Sequence, residues 1–136
     1  MVRASRITLL FYAAAATTAI AGIMHLVLAP NLLGFNINFA LFFIVTGIAQ
    51  LFWVLPMIKS WGFPWYVAGI VGMAVLISLF VITRMPNPIT GRGLPTNSVA
   101  LVIEIMQAAF IALCAIIIVY EARRKQLDRK TRSDYA

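Results

Sequence analysis

The chain is poor in the residues that most chemistry needs. It has one histidine, one cysteine and four acidic residues among 136. A lone cysteine, Cys114, cannot form an internal disulfide, and it lacks the spacing of a metal site, so it reads as a small packing residue. One imidazole is too few for a bis-histidine haem. One histidine with one intramembrane carboxylate falls short of the three or four ligands of a self-contained metal site. There is no Walker loop, no dinucleotide fingerprint and no Cys-x-x-Cys pair. Only 11% of the residues are charged, where a soluble domain carries about a quarter. These absences argue against an autonomous enzyme, and the missing charge argues against a water-soluble surface.

What the chain has is apolar length. Four runs, Ile7–Ala29, Phe39–Met57, Trp65–Thr83 and Ser98–Tyr120, occupy most of it. Each is about the ~20 residues that a helix rising ~1.5 Å per residue needs to cross a ~30 Å hydrocarbon layer. The expectation is a single integral membrane domain over residues 1–136, an all-α bundle of four transmembrane helices at 7–29, 39–57, 65–83 and 98–120. A basic tail, 121–136, should continue the last helix for one or more turns and then fray. Ala19-Ile20-Ala21 resembles a signal-peptidase site, but the run continues to Ala29, so we read it as a retained first helix.

Orientation follows from where Lys and Arg fall. Arg3, Arg6, Lys59 and six tail residues, nine in all, lie on one side; Arg84 and Arg92 lie on the other. The positive-inside rule then puts both termini in the cytoplasm, with connections 30–38 and 84–97 outside. The net charge of +7 is mostly that tail, which suits anionic lipid better than nucleic acid. Lys59–Tyr66 holds four aromatics beside Trp53, as an interfacial aromatic belt does. Asn97 or Ser98 suits the N-cap of the last helix. Pro30–Asn38 carries no charge, and Arg84–Asn97, with three prolines and two glycines, should be an extended or turning loop.

The polar residues inside the runs fall at matching depth. His25 lies about four residues inside the outer end of helix one and Glu104 about six inside that of helix four, roughly 6–10 Å deep. Arg84 ends helix three on the same side. A carboxylate alone in hydrocarbon costs several kcal/mol, so His25 or Arg84 is its expected partner. Gln107 shares a helix face with Glu104, and Gln50 lies near the middle of helix two. His25, Arg84, Glu104, Gln107 and Gln50 therefore form a candidate buried polar layer. It serves helix register, proton or ion handling, or ligand binding. Met24, Met85 and Met106 lie near the same layer, without the array that copper ligation needs. Ala14, Thr18 and Gly22, Ala68 and Gly72, and Ala108 and Ala112 form small-residue stripes that permit close helix approach, inside the bundle or with neighbours.

His25-x-x-x-Ala29-Pro30, then Gly47-Ile48-Ala49-Gln50, Thr83-Arg84, Pro95 and Glu104 resemble a widespread group of small four-helix membrane proteins of bacteria and archaea. The similarity spans most of residues 20–110. That group has no established activity, so the resemblance implies the fold, a prokaryotic membrane, and attention to His25, Gln50, Arg84 and Glu104. The chain departs from the pattern in lacking a Gly-Pro pair after Pro95. In size, topology and Pro-rich outer loop it also resembles the small accessory subunits of membrane copper monooxygenases, such as archaeal ammonia monooxygenase.

The functional expectation is a non-catalytic accessory subunit of a larger membrane complex, of the monooxygenase kind. Its partners would be lipids and other integral subunits. It would hold no catalytic, cofactor or metal site of its own, with lipid or quinone contact, and copper only if shared with another subunit. The alternative is a small oligomeric transporter, or an ion- or proton-handling protein, using the Glu104/His25/Arg84 layer.

Overall fold

A computed structural model describes residues 2–88 and 91–135, with side chains from residue 6 onward. Ile89 and Thr90 of the expected loop, Ala136 of the tail and the side chain of Arg3 lie outside the described residues. The described chain is helical throughout its ordered elements, with no strand: α1 Val2–Leu33, α2 Ile37–Phe52, α3 Val54–Ile58, α4 Phe63–Arg84 and α5 Ser98–Asp134. Four stretches are long and apolar enough to cross a membrane: Arg6–Leu33, Ile37–Ile58, Phe63–Arg84 and Ser98–Asp134.

The boundaries differ from the expected ones for local reasons. Helix α1 carries Pro30 inside its last turn. The missing N–H and the ring of Pro30 disturb one bond to Leu26, and neighbouring helices make that tolerable. The first connection thus shrinks to Gly34–Asn36. The Asn36 side chain opens α2 by accepting from the Asn38 N–H at 2.8 Å, a cap that starts the helix two residues early. The second apolar run is kinked at Trp53 into α2 and α3. Pro56 has no N–H for the Phe52 carbonyl one turn back, so the ladder is interrupted there. Asn97 caps α5, its Oδ1 accepting from the Ala100 N–H at 2.7 Å. Helix α5 runs 37 residues, or ~55 Å at ~1.5 Å per residue. The basic tail is therefore helical as far as Asp134, beyond the turn or so expected.

The connectivity places the N-terminus, the Lys59 turn and the tail at one end of the bundle (the terminal end). The Gly34–Asn36 turn and the 85–97 connection lie at the other (the loop end). Helix α1 packs on α2, α3 and α5, and α4 packs on α5; α3 also touches α2 and α4. The backbones of α2 and α4 stay apart, and side chains such as Gln50 and Met73 meet across the gap. The kink at Trp53 swings α3 across to α4 and closes the bundle at the terminal end, while α2 stands away from α4 toward the loop end.

The α1–α2 seam is backbone against backbone. A Cβ on Gly22 would sit 2.9 Å from the Gly47 carbonyl oxygen, and one on Gly47 the same distance from that of Gly22. Thr18 Oγ1 donates to the Gln50 carbonyl at 2.8 Å, fully buried. The Ala14–Thr18–Gly22 stripe thus works inside the bundle. Ala68, Gly72, Ala108 and Ala112 are exposed on α4 and α5. The core lies in the terminal half, where Met57, Tyr66, Phe110, Cys114 and Ile117 have no exposed surface and pack with Phe11. Cys114 Sγ lies 3.8 Å from Met57 Sδ, a packing contact.

Candidate functional site

At the loop end the gap between α2 and α4 becomes a cavity of about 450 Å³. Its base carries His25 from α1 and Glu104 and Gln107 from α5; Arg84 and Thr83 at the end of α4 form one rim. Four of the five polar residues singled out in the sequence therefore line one chamber. The fifth, Gln50, lines an adjoining chamber of about 240 Å³ farther along the same gap, with Thr46, Trp53, Gly72 and Met73. Leu76 lines both, so the two are successive parts of one slot between α2 and α4.

His25 is only 5% exposed, and its Nδ1 lies 2.9 Å from the Ala21 carbonyl oxygen. A carbonyl only accepts, so Nδ1 carries the hydrogen, and in the neutral ring Nε2 is left with its lone pair. The ring is held by Phe43, centroid to centroid 5.0 Å, and the Gln50 amide lies beside it. The imidazole is thus fixed in orientation.

Arg84 is clamped. Its Nη1 donates to the Pro95 carbonyl at 2.6 Å, and its guanidinium stands 4.3 Å from the centre of the Phe80 ring, a cation–π distance. Leu94 N–H donates to Thr83 O at 2.8 Å. Gly93 lies so close to the Arg84 carbonyl that a Cβ there would overlap it. Residues 93–95 accordingly fold back on the end of α4, with Leu94 in the chamber wall.

The expected partnership of Glu104 is not a direct one. Glu104 and Arg84 influence each other electrostatically, but among the described residues no ion pair joins them, and Glu104 Oε2 is buried with no hydrogen-bond partner. Arg84 Nε is likewise buried and unpaired. Gln107 is 1% exposed, and neither its Oε1 nor its Nε2 has a partner; Gln50 Oε1 has none either. Gln50 Nε2 reaches only the Met73 sulfur, at 3.4 Å. Nearly all buried polar atoms in proteins are paired, so this concentration in one cavity marks the chamber off from packing. Among the described residues no three His, Cys, Asp or Glu side chains gather as metal ligands would; a metal held here would need ligands from another chain.

Reading the residues alone did not reach the walls. Phe39, Phe42 and Phe43 on α2 and Phe80 on α4 line the chamber. The i, i+3, i+4 spacing of the first three was a usable signal for one helix face. Gly93 and Leu94 left no comparable signal. Met24, Met85 and Met106 do not line either chamber.

No family model matches this chain, and neither does any curated protein or solved structure.

Proposed function

We propose that this chain is an integral membrane protein with both termini cytoplasmic, and that it binds a small polar or amphiphilic ligand in the chamber at its loop end without transforming it. Sidedness rests on the nine-to-two distribution of Lys and Arg. Binding rests on one observation: Gln107, fully enclosed, presents two unpaired polar atoms to a cavity beside an unpaired Glu104 oxygen. An unpaired buried amide costs about 1–3 kcal/mol. A helix face that served only to hold register would be better filled by leucine. A ligand that pairs these atoms removes the cost on binding. A path across the bundle is not part of this reading, because Met57, Tyr66, Phe110, Cys114 and Ile117 fill the terminal half.

The test is native mass spectrometry of the full chain released from lipid nanodiscs, wild type against Gln107→Leu. Extra mass on the wild type that the variant loses supports the reading. Identical spectra with no adduct overturn it.

A second observation favours an accessory-subunit role alongside binding. Ala108 and Ala112 on α5 are exposed small residues that line neither chamber. Small residues are where a neighbouring helix approaches closely. The assembly suggested by the sequence resemblance is a membrane copper monooxygenase, any copper being shared with its other subunits. Mild-detergent extraction from native membranes, a native gel and mass spectrometry of the band test this. Co-migration with large subunits supports it; a band at monomer or small homo-oligomer mass removes it.

A further inference from the structure

Resting on the binding reading above, we infer that the ligand is a hydroxylated aromatic amphiphile of the hydroquinone type, its ring in the chamber and its apolar tail along the slot between α2 and α4. Four features of the site select that chemistry. The first is charge. Arg84 and Glu104 are the charged residues of the chamber, one of each sign, so an anionic head meets Glu104 and a cationic head meets Arg84; a neutral head is opposed by neither.

The second is the balance of unpaired groups. In the head chamber two buried oxygens lack partners, Glu104 Oε2 and Gln107 Oε1, and so do two nitrogens, Arg84 Nε and Gln107 Nε2. A head that both donates and accepts serves all four, and an O–H group does both. A hydroquinone brings two, whereas the oxidised quinone brings only acceptors.

The third is the wall. Phe39, Phe42, Phe43 and Phe80 line the same cavity; flat apolar rings suit a flat ring in offset or edge-on packing. The fourth is the slot. The head chamber continues past Leu76 into a second one lined by Val45, Ala49, Gly72 and Met73, and no helix of the chain closes the α2–α4 side. An occupant can therefore enter from the side with its tail still in the membrane. The head chamber, at about 450 Å³, lies within the ~300–1,000 Å³ range of small-molecule sites. A two-chain phospholipid, with its charged phosphate, fits the charge balance and the single slot less well.

The experiment is anaerobic equilibrium dialysis of the full chain in phosphatidylcholine nanodiscs against decyl-hydroquinone, with empty nanodiscs as the partition control. Saturable binding near one per chain is expected. The oxidised decyl-quinone should bind about tenfold more weakly, as loss of a hydrogen bond to a buried acceptor predicts. Gln107→Leu, similar in size, should weaken decyl-hydroquinone by about tenfold or more. A Cβ on Gly72 meets nothing within 4 Å, so Gly72→Leu fills the slot without a clash. That variant should weaken the decyl compound about tenfold and leave tailless durohydroquinone within about twofold.

Equal binding of both redox forms, or equal binding by wild type and Gln107→Leu, overturns the assignment. The two readings fail separately. If the nanodisc protein carries a different amphiphile that decyl-hydroquinone does not displace, the hydroquinone class is wrong and binding stands. If it carries and takes up nothing, both fall.

Discussion

At the terminal end Phe110, Met57, Tyr66, Cys114 and Ile117 are sealed from one another's far side to the surface, α3 is wedged between α1 and α4, and Trp53 donates its indole N–H to the Trp65 carbonyl. Rings of Phe52, Trp53, Trp61 and Trp65 pack there tilted or edge-on, with centroids 4.8–6.3 Å apart. At the loop end the backbones of α2 and α4 stand apart, and both amide atoms of Gln107, Glu104 Oε2 and Gln50 Oε1 have no partners. Both ends are made of equally apolar helix. Between helices in a bilayer, association rests on packing and hydrogen bonding, because lipid tails are as apolar as leucine. The terminal half supplies that packing, which leaves the loop half free to hold a cavity.

That division is testable by substitution, and the largest effect should come at the seam both halves share. Gly47→Leu forces a branched side chain into the Gly22 carbonyl and the Leu26 side chain, already 2.8–2.9 Å from a mere Cβ. Overpacking against side chains that can give costs about 1–3 kcal/mol; a backbone obstacle cannot repack, so the cost here should exceed the ~3–5 kcal/mol of an emptied core site. With backbone as the obstacle, α1 and α2 should separate, seen as loss of a monodisperse peak in size-exclusion chromatography. A well-behaved Gly47→Leu protein would show that the seam is not where the halves join.

Phe110→Ala comes next. Its ring is fully buried in the terminal core, and emptying such a site costs about 3–5 kcal/mol. Thermal unfolding in detergent should fall accordingly, while ligand affinity at the loop end stays within about threefold. If affinity falls in step with stability, the two halves are one cooperative unit and the comparison fails. A smaller, local effect is expected from Arg84→Met. It removes the bond to Pro95 and the contact with Phe80, worth about 1–2 kcal/mol together. Hydrogen exchange should quicken at Leu94, whose N–H is held by Thr83 O, with no change at α3.

How much of this was legible beforehand depends on range. Four spans and a shared depth for His25, Arg84 and Glu104 follow from run length and helical rise, because both are local and additive. Asn97 as a cap was readable; Asn36 was not, since the uncharged 30–38 stretch masked its start signal. Pro56 was visible, yet within an unbroken apolar run it was passed over, and with it the kink that defines α3. The wide spacing of the α2 and α4 backbones left no trace in any pattern. It depends on which pairs of helices meet, and that is decided by the Gly22–Gly47 contact and the swing at Trp53 acting together. The chamber exists because of that gap, so its polar members could be picked out one by one while the cavity itself could not.

The smallest stability effect should be the most informative. Gln107 is as buried as Phe110, three residues farther along the same helix. If burial alone decided cost, Gln107→Leu would be as damaging as a core mutation. The loop half predicts otherwise. Neither amide atom has a partner to lose, so an apolar side chain of similar volume removes an unpaired group and should leave stability unchanged or raise it by up to about 1 kcal/mol. The measurement is the midpoint of thermal unfolding in one detergent, ligand-free, for wild type, Gln107→Leu and Gln107→Ala. Leu at or above wild type, with Ala below it by the cavity term, places Gln107 in a site kept for binding. A fall of about 2 kcal/mol or more for Leu would mean that Gln107 is paired within the fold, and the contrast between the two halves would lose its main support.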